Sequence, residues 1–324
     1  MQRVPSTSVQ LSPNHTVVGR SRANDGTSFC IPELKWMFDC GALVQPGFAP
    51  THVFLSHTHS DHVSNLAQVA FSSTKKNAKQ PIIYLPSKAA PLVDKYLKSH
   101  KLMTECGEGD DDPGNDHEMP YELMPVRPGD TFTITKGSVD FLIQVVECDH
   151  RIDCIGFSIT QQSKRLRKEF MCYSKPEMKQ LVQEMRSSGR SMEELKETVH
   201  APFLCFLGDT THKVFQRHPE ILKEHPTVIV ECTYLDGTCD NAEKYKHMHW
   251  NQLQPFIESH PQTLFLISHT SLRYKLLDIR TLFAPYENVH PLISQEDVVL
   301  EWSKAKRGPE SPPTCGCFKC QKIV

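Results

Sequence analysis

Four side chains of metal-ligand type fall within six residues of this chain, directly after a short apolar segment. Residues 52–56 predict a buried strand, and His57, His59, Asp61 and His62 follow it. In an extended segment His57 and His59 would lie on one side, and a turn after His59 would direct Asp61 and His62 towards a second ion. Imidazole and carboxylate groups suit zinc and other borderline divalent cations. Because four residues cannot complete two sites, the pattern predicts further ligands elsewhere in the chain.

Three more residues of ligand type each stand just beyond a predicted apolar strand. They are His150, Asp209 and His269. Any one of them alone would more often be a structural polar group whose hydrogen bonds are satisfied. Together with the cluster at residues 57–62, they favour a metal site assembled at the ends of several strands.

The order of predicted elements indicates an α/β fold. Strands come first, including a hairpin over residues 131–135 and 139–147, and strands mixed with helices follow. Helices are predicted after Ser87 to about residue 99, over 251–259 and over 272–283. This order fits two sheets sandwiched between helices. The predicted organisation is a disordered start over 1–14, a domain over 15–303 and a Pro/Cys-rich tail over 304–324, with residues 105–120 as a mobile loop.

Residues 161–200 differ from their surroundings, with nine Lys or Arg residues against six Glu. Capping-box spacing at Ser174 and again at Ser191 predicts a short helical hairpin inserted between two strands. A basic cluster precedes it, formed by Lys164, Arg165, Arg167 and Lys168. The alternative interpretation is a surface insertion whose charges are simply solvated.

Composition restricts the function classes. The chain has 324 residues and a formal net charge of −2, so any nucleic-acid contact must come from a local patch. No apolar run approaches the length of a membrane helix, and the start lacks the pattern of a secretory signal. Twelve cysteines without a regular framework favour reduced thiols in a cytoplasmic or nuclear protein, with an organelle left open. The tail cysteines Cys315, Cys317 and Cys320 fit either a structural zinc site or a loose thiol-rich end.

The motif series resembles that of the metallo-β-lactamase superfamily, and more closely that of the short form of ribonuclease Z, the tRNA 3′-processing endonuclease. The resemblance spans about residues 17–300. It is carried by the first histidine cluster and by four later stretches: Gly208-Asp209-Thr210-Thr211, Glu231-Cys232-Thr233-Tyr234, His247-Met248-His249 and Ser268-His269-Thr270-Ser271-Leu272-Arg273-Tyr274.

The resemblance implies an αββα sandwich with an inserted helical arm and a site for two Zn²⁺ ions, with other divalent ions such as Mn²⁺ as alternatives. One ion would be bound by His57, His59 and His150, the other by Asp61, His62 and His269, and Asp209 would bridge them. Asp61 would also orient or deprotonate the attacking water. Glu231 would position a proton donor, which is either His247 or His249. Arg273 would contact phosphate or brace the site.

The leading hypothesis is therefore an endoribonuclease that removes the 3′ trailer of precursor tRNA. The resemblance implies that the segment 161–200 binds the tRNA and that the protein forms a homodimer, with no membrane partner. The alternative is a small-molecule hydrolase, of phosphodiesterase or thioesterase type, on the same two-metal scaffold, because a fold does not fix a function. A non-catalytic binding protein is disfavoured, since all seven expected ligands are present.

Overall fold

The computed structural model describes residues 7–43, 45, 47–72, 79–105 and 119–294. In this part of the chain, two seven-stranded sheets form the centre of the molecule. The first sheet contains, in spatial order, β1 (Thr7–Ser12), β2 (His15–Arg22), β3 (Gly26–Ile31), β4 (Trp36–Phe38), β5 (His52–Phe54), β6 (Ile82–Pro86) and β7 (Glu122–Val126). The second contains β8 (Thr131–Lys136), β9 (Val139–Cys148), β10 (Cys154–Leu166), β11 (Lys196–Phe206), β12 (Thr227–Glu231), β13 (Leu264–Ser268) and β14 (Val289–Pro291).

Helices lie on the outer faces of both sheets and in the segments that connect the strands. They are α1 (Ser60–Val63), α2 (Leu66–Ala70), α3 (Ala90–Thr104), α4 (Lys175–Ser187), α5 (Lys213–Arg217), α6 (Glu220–Glu224), α7 (Asp240–Tyr245), α8 (Trp250–Ser259) and α9 (Leu276–Phe283). One apolar cluster joins the first sheet to α2 and α3, and another joins the second sheet to α5, α6, α8 and α9. Within the described ranges, no helix has the length and apolar character required to cross a membrane.

The main core lies between the two sheets. Phe29, Trp36 and Phe54 of the first sheet pack there with Phe141 and Phe206 of the second. Burying each such ring contributes about 2–3 kcal/mol to the free energy of unfolding. The αββα sandwich predicted from the order of the elements is therefore confirmed.

Parallel strands bring the candidate ligands to one edge of the sandwich. Strands β4 to β7 run parallel in the first sheet, and β11 to β14 run parallel in the second. The cluster at residues 57–62 follows the carboxyl end of β5, and His269 follows the carboxyl end of β13. A backbone hydrogen bond from Ile155 N to Ser56 O, 3.0 Å long, ties the two sheets together beside the site.

The N-terminal segment corrects one prediction. The sequence predicts disorder over residues 1–14, whereas Thr7–Ser12 forms β1 and pairs antiparallel with β2. Val9 of this strand is 4% exposed and joins the core between the sheets. The segment lacks a strong local strand pattern, so pairing with β2 and burial of Val9 decide its structure. Residues 1–6 lie outside the described residues.

The inserted arm differs from the predicted helical hairpin. Strands β10 and β11 continue into it as an antiparallel ribbon, in register to Leu166 opposite Lys196. Helix α4 starts as predicted at the Ser174 capping box. The second predicted helix is only a 3₁₀ turn, Met192–Leu195, although its Ser191 capping box is present. Strand β11 begins at Lys196, five residues after that cap, which leaves no room for a second α-helix.

Other predictions had mixed outcomes. The hairpin of β8 and β9 is confirmed. The helix predicted after Ser87 begins at Ala90, without a side-chain cap, and extends to Thr104. Most of the loop predicted over residues 105–120 lies outside the described residues, as does the whole tail over 304–324 with Cys315, Cys317 and Cys320.

Candidate metal centre

Seven side chains of ligand type converge at the edge where the strands end. They form two groups, within each of which the ligand atoms lie within 4.8 Å of one another: His57, His59, His150 and Asp209 in one, and Asp61, His62 and His269 in the other. A third such group, Asp209, His247 and His269, shares one residue with each of them. The structure therefore brings together every metal ligand predicted from the sequence. His57, His62, Asp209 and His269 are buried, and His59 and His150 are half-buried at the mouth.

Four of the histidines use their Nδ1 atoms to contact the protein. In the cluster at residues 57–62, His57 Nδ1 lies 3.0 Å from Ser56 Oγ, and His62 Nδ1 lies 2.6 Å from Asp39 Oδ2. These contacts fix the ring orientations and leave each Nε2 directed into the cluster.

The two distant histidines follow the same arrangement. His150 Nδ1 lies 2.9 Å from the carbonyl oxygen of Lys246, and His269 Nδ1 lies 2.9 Å from Thr233 Oγ1. Their Nε2 atoms therefore face the centre of the cluster. A carbonyl oxygen only accepts hydrogen bonds, so His150 carries its proton on Nδ1 and presents a free lone pair on Nε2.

The inward nitrogens have the spacing of metal ligands. His59 Nδ1 lies 3.0 Å from His57 Nε2 and 3.2 Å from His150 Nε2. A tetrahedral zinc ion with bonds of about 2.05 Å separates its ligand atoms by about 3.3 Å. Burial lowers the pKa values of all three rings, so they are neutral, which is the form that binds metal.

In the second group, a buried histidine nitrogen without a hydrogen-bond partner indicates the place of a cation. His62 Nε2 is buried and has no hydrogen-bond partner among the described residues. The Asp61 carboxylate is 3.9 Å away and that of Asp209 is 3.5 Å away. Orphaned buried polar atoms are rare, and a positive ion between this nitrogen and the two carboxylates would satisfy it. The donor set therefore fits bound divalent cations.

Asp209 lies between the two groups. Its carboxylate oxygens are 3.6 Å from His57 Nε2, 3.5 Å from His62 Nε2 and 3.3 Å from His269 Nε2. Burial would raise the pKa of Asp209, but the surrounding histidines, His269 first, hold it far below its usual range. The group is therefore an ionised carboxylate that faces histidines of both groups.

Asp61 is also held as a carboxylate, at the side of the second group. Its Oδ2 lies 3.2 Å from His269 Nε2 and accepts a 2.8 Å hydrogen bond from the Asn24 backbone N–H. Burial would raise the pKa of Asp61, whereas the His269 hydrogen bond and the charge of His62 keep it well below its usual range.

A buried carboxylate and a histidine stand beside the cluster. His247 Nδ1 lies 2.9 Å from Glu231 Oε1, and its ring stacks on that of His269 at 5.2 Å. Glu231 is held by hydrogen bonds from the Thr210 and Met248 backbone N–H groups. Burial would lower the pKa of His247, but Glu231 outweighs this effect and raises the pKa to about 9. His247 lines the cavity above the cluster, which has a volume of about 400 Å³.

The structure separates the two histidines that the sequence left as alternatives. His249 is fully buried and does not line this cavity. Its Nδ1 accepts a 3.1 Å hydrogen bond from Asn251 N at the start of α8, and its Nε2 lies 3.1 Å from the Asp236 carbonyl. His249 thus occupies the position of a helix cap.

Arg273 lies outside the cluster. Its guanidinium group is 2.7 Å from Asp236 Oδ1 and lies over the rings of Tyr234 and Tyr274. This arrangement corresponds to the bracing position that the sequence analysis offered as one of two alternatives. The basic residues of the arm lie apart from the metal centre: Lys164 pairs with Glu193, Arg165 with Glu197, and Arg167 contacts the Lys196 carbonyl.

Two supporting acids are not among the residues predicted from the sequence. Asp39 follows β4 and accepts hydrogen bonds from Ser56 N at 2.7 Å and from Ser56 Oγ at 2.8 Å, besides its contact with His62. Asp149 pairs with Lys246 Nζ at 3.0 Å. Asp39 could have been identified from the sequence, because it is an acid that directly follows the apolar strand Trp36–Phe38.

Comparison with known proteins agrees with this geometry. No family model matches the chain. Two curated relatives from Arabidopsis thaliana are similar to it. The chloroplastic tRNase Z TRZ2 is 26% identical over 271 residues, which cover 82% of this chain and 70% of the relative. The tRNase Z TRZ1 is 24% identical over 269 residues, which cover 82% of this chain and 88% of the relative. The chain is a homologue of the tRNase Z proteins.

The fold of this tRNase Z homologue also has a solved counterpart. The metallo-β-lactamase fold protein YhfI from Bacillus subtilis superimposes with a TM-score of 0.54 at 12% identity, over 85% of this chain and 94% of that one. The chain therefore has the metallo-β-lactamase fold, which agrees with the pair of mixed sheets and the ligands at their common edge.

Asp39→Asn should weaken metal binding. The Asn amide would direct an N–H group at His62 Nδ1 and favour the tautomer with a proton on Nε2, which cannot bind a cation. We expect zinc affinity, measured by competition with a chromogenic chelator, to fall about 10–100-fold. Asp25→Asn, which changes an exposed acid paired with Arg20, is the matched control and should leave the affinity unchanged. Equal affinities for the two variants would show that Asp39 does not position His62.

Proposed function

We propose that this protein is a metal-dependent endoribonuclease that removes the 3′ trailer of precursor tRNA by attack of activated water on a phosphodiester. The observation that carries the proposal is the pair Glu231 and His247, which stands beside seven convergent metal ligands. Hydrolysis of an RNA strand that releases a ribose 3′-oxygen needs a proton donor at that oxygen. The names of the homologous tRNase Z proteins supply the substrate class.

Two Zn²⁺ ions are the proposed cofactors, with His57, His59 and His150 holding one, Asp61, His62 and His269 the other, and Asp209 contacting both. Mn²⁺ is an alternative occupant. Bound divalent cations would make water a nucleophile at neutral pH and would stabilise the negative charge that develops on the phosphoryl oxygens.

The remaining roles belong to side chains of this chain. With its Nδ1 atom at Glu231, His247 presents Nε2 to the cavity and would hold the proton for the leaving 3′-oxygen there. Asp61 would orient the attacking water, because its carboxylate borders the same cavity. Glu231 would keep His247 protonated and fix its ring. Arg273 is proposed to brace the loop that carries Asp236.

The arm over residues 161–200 is proposed to bind the tRNA. It projects on the ribbon of β10 and β11 and has a small core of its own, in which Met185 and Leu195 are buried. Its ion pairs, such as that between Arg165 and Glu197, are exposed. Exposed pairs contribute little, so these cations can exchange their partners for phosphates. Lys168 forms no ion pair with any described residue.

A homodimer in the cytoplasm or nucleus is also expected. Exposed Leu92, Tyr96 and Met103 share one face of α3, an apolar surface that a second copy could cover. A monomeric mass in light scattering would contradict the dimer. Cysteines within the described residues are free thiols, which supports a reducing compartment.

Purified protein should cut precursor tRNA to mature length, and shortening the arm should separate the substrate classes. Ser163 and Val199 face each other in the ribbon, so an Asn-Gly turn can replace residues 164–198 without disturbing the register. We expect kcat/KM for precursor tRNA to fall at least about a hundredfold in this variant, because the phosphate contacts of the arm are lost. Hydrolysis of bis(p-nitrophenyl) phosphate should be retained.

Both substrates should be tested with the full-length protein as well. Turnover of the small phosphodiester without any cut in precursor tRNA would overturn the proposal in favour of a small-molecule hydrolase. An arm-shortened variant that still cuts precursor tRNA at the full rate would show that the arm does not bind it.

His247→Asn and His249→Asn distinguish the proton donor from the helix cap. We expect His247→Asn to lower kcat on precursor tRNA by about 10²-fold or more. Asn can still cap α8, so His249→Asn should keep kcat near the wild-type value. It should lower the free energy of unfolding by about 1 kcal/mol, because the contact with the Asp236 carbonyl is lost. A large loss of kcat in His249→Asn alone would reverse the assignment.

A further inference from the structure

A second cleft lies beside the metal centre and has no role in the chemistry described above. Its volume is about 630 Å³, against about 400 Å³ for the cavity over the metal ligands. Arg151 lines both, and its neighbour His150 lines the second. The backbone at residues 150–151 therefore separates two adjoining spaces, and a chain that crosses the metal centre can continue into the second cleft.

Four cationic side chains border this cleft, and each follows the end of a secondary-structure element. Lys88 comes after β6, Arg127 after β7, Arg151 after β9, and Arg217 is the last residue of α5. The carboxyl ends of β6 and β7 lie at the same edge of the sheet as the end of β5, which carries the metal ligands. The topology thus gathers these cations next to the site.

The acidic residues of the cleft do not neutralise all of this charge. Asp153 pairs with Lys88 at 2.9 Å, and Glu147 lies 3.6 Å from Arg217. The third acid, Asp149, is occupied by Lys246 and by a hydrogen bond from Thr211 Oγ1. Arg127 and Arg151 form no ion pair with any described residue. The guanidinium of Arg151 lies over the Tyr245 ring at 5.6 Å, at the mouth of the metal cavity.

Apolar surface completes the cleft. Pro86, Val126 and Pro128 form part of the wall, and Ile152, next to Arg151, is 38% exposed. A positively charged groove follows the phosphate backbone of a single nucleic-acid strand, and the apolar wall can pack against its sugars. The net charge of the whole chain is −2, so this cationic character is local.

We propose that this second cleft binds the single-stranded 3′ trailer of the substrate, with Arg127 and Arg151 contacting its phosphates. The inference rests on the proposed function. On the 5′ side of the cut, precursor tRNA offers a duplex acceptor stem with one unpaired nucleotide, and a cleft of this volume does not admit a duplex. On the 3′ side, the trailer is a flexible single strand that leaves the scissile phosphate directly. The cleft therefore makes the enzyme sensitive to trailer length.

The test compares two precursor tRNAs, one with a single-nucleotide trailer and one with a trailer of about ten nucleotides. Arg127 is exposed and its side chain has no partner among the described residues, so Arg127→Glu should fold normally. We expect this change to raise KM for the long trailer about tenfold with kcat unchanged, because a phosphate contact is replaced by repulsion. The short trailer should be cleaved as by wild type. Lys223→Glu, on α6 and lining neither cleft, is the matched control and should alter neither substrate.

Equal effects of Arg127→Glu on the two trailers, or no effect on either, would overturn the proposal. A binding measurement keeps this result separate from the proposed function. A fluorescently labelled ten-nucleotide RNA should bind wild-type protein more tightly than Arg127→Glu in an anisotropy titration, whether or not precursor tRNA is cut. Equal RNA affinities of wild type and Arg127→Glu would show that the cleft does not bind the trailer. Tighter RNA binding by wild type without cleavage of precursor tRNA would contradict only the proposed nuclease activity.

Discussion

The hydrogen bond between His62 Nδ1 and Asp39 Oδ2, 2.6 Å long, links the architecture to the metal centre. Asp39 follows β4 and also accepts hydrogen bonds from Ser56, which follows β5, so one carboxylate links the ends of two parallel strands and orients the His62 ring. The rings of His57, His150 and His269 are oriented similarly, by a hydroxyl or a backbone carbonyl at Nδ1. Four of the five histidines in the two groups are thus oriented by a contact at Nδ1, which leaves their Nε2 atoms free for cations.

Several backbone positions around this centre are strained. Asp39, Lys246 and His269 have φ values of 50°, 59° and 58°, and Asn24, whose N–H binds Asp61, has 61°. A left-handed conformation costs a residue other than glycine about 1–2 kcal/mol. Of the five described residues other than glycine with a positive φ, four surround this site, which is where such strain is commonly found. Lys246 makes two contacts in this conformation: its carbonyl oxygen accepts from His150 Nδ1, and its ammonium group pairs with Asp149.

The convergence of the candidate metal ligands could be predicted from the sequence because these residues follow apolar strands, and parallel strands must end at a common edge. The cluster at residues 57–62 and the lone His150, Asp209 and His269 all carried that signal. Roles that depend on long-range contacts carried no such signal in the sequence. His247 and His249 are two residues apart and look alike in the sequence, yet one lines the cavity and the other caps α8. Strand β1 and the β-ribbon of the arm were missed for the same reason, since partners elsewhere in the chain stabilise them.

The seven convergent side chains are the proposed site of two cations, with Asp209 facing both groups of ligands. The most direct measurement is the number of metal ions per chain, by elemental analysis after equilibration with Zn²⁺ and removal of loosely bound ions, for wild type and for Asp209→Ala. The account predicts two ions for the wild-type protein and fewer for Asp209→Ala, because that carboxylate faces both groups of ligands. A single ion in wild type, or two ions retained by Asp209→Ala, would contradict it.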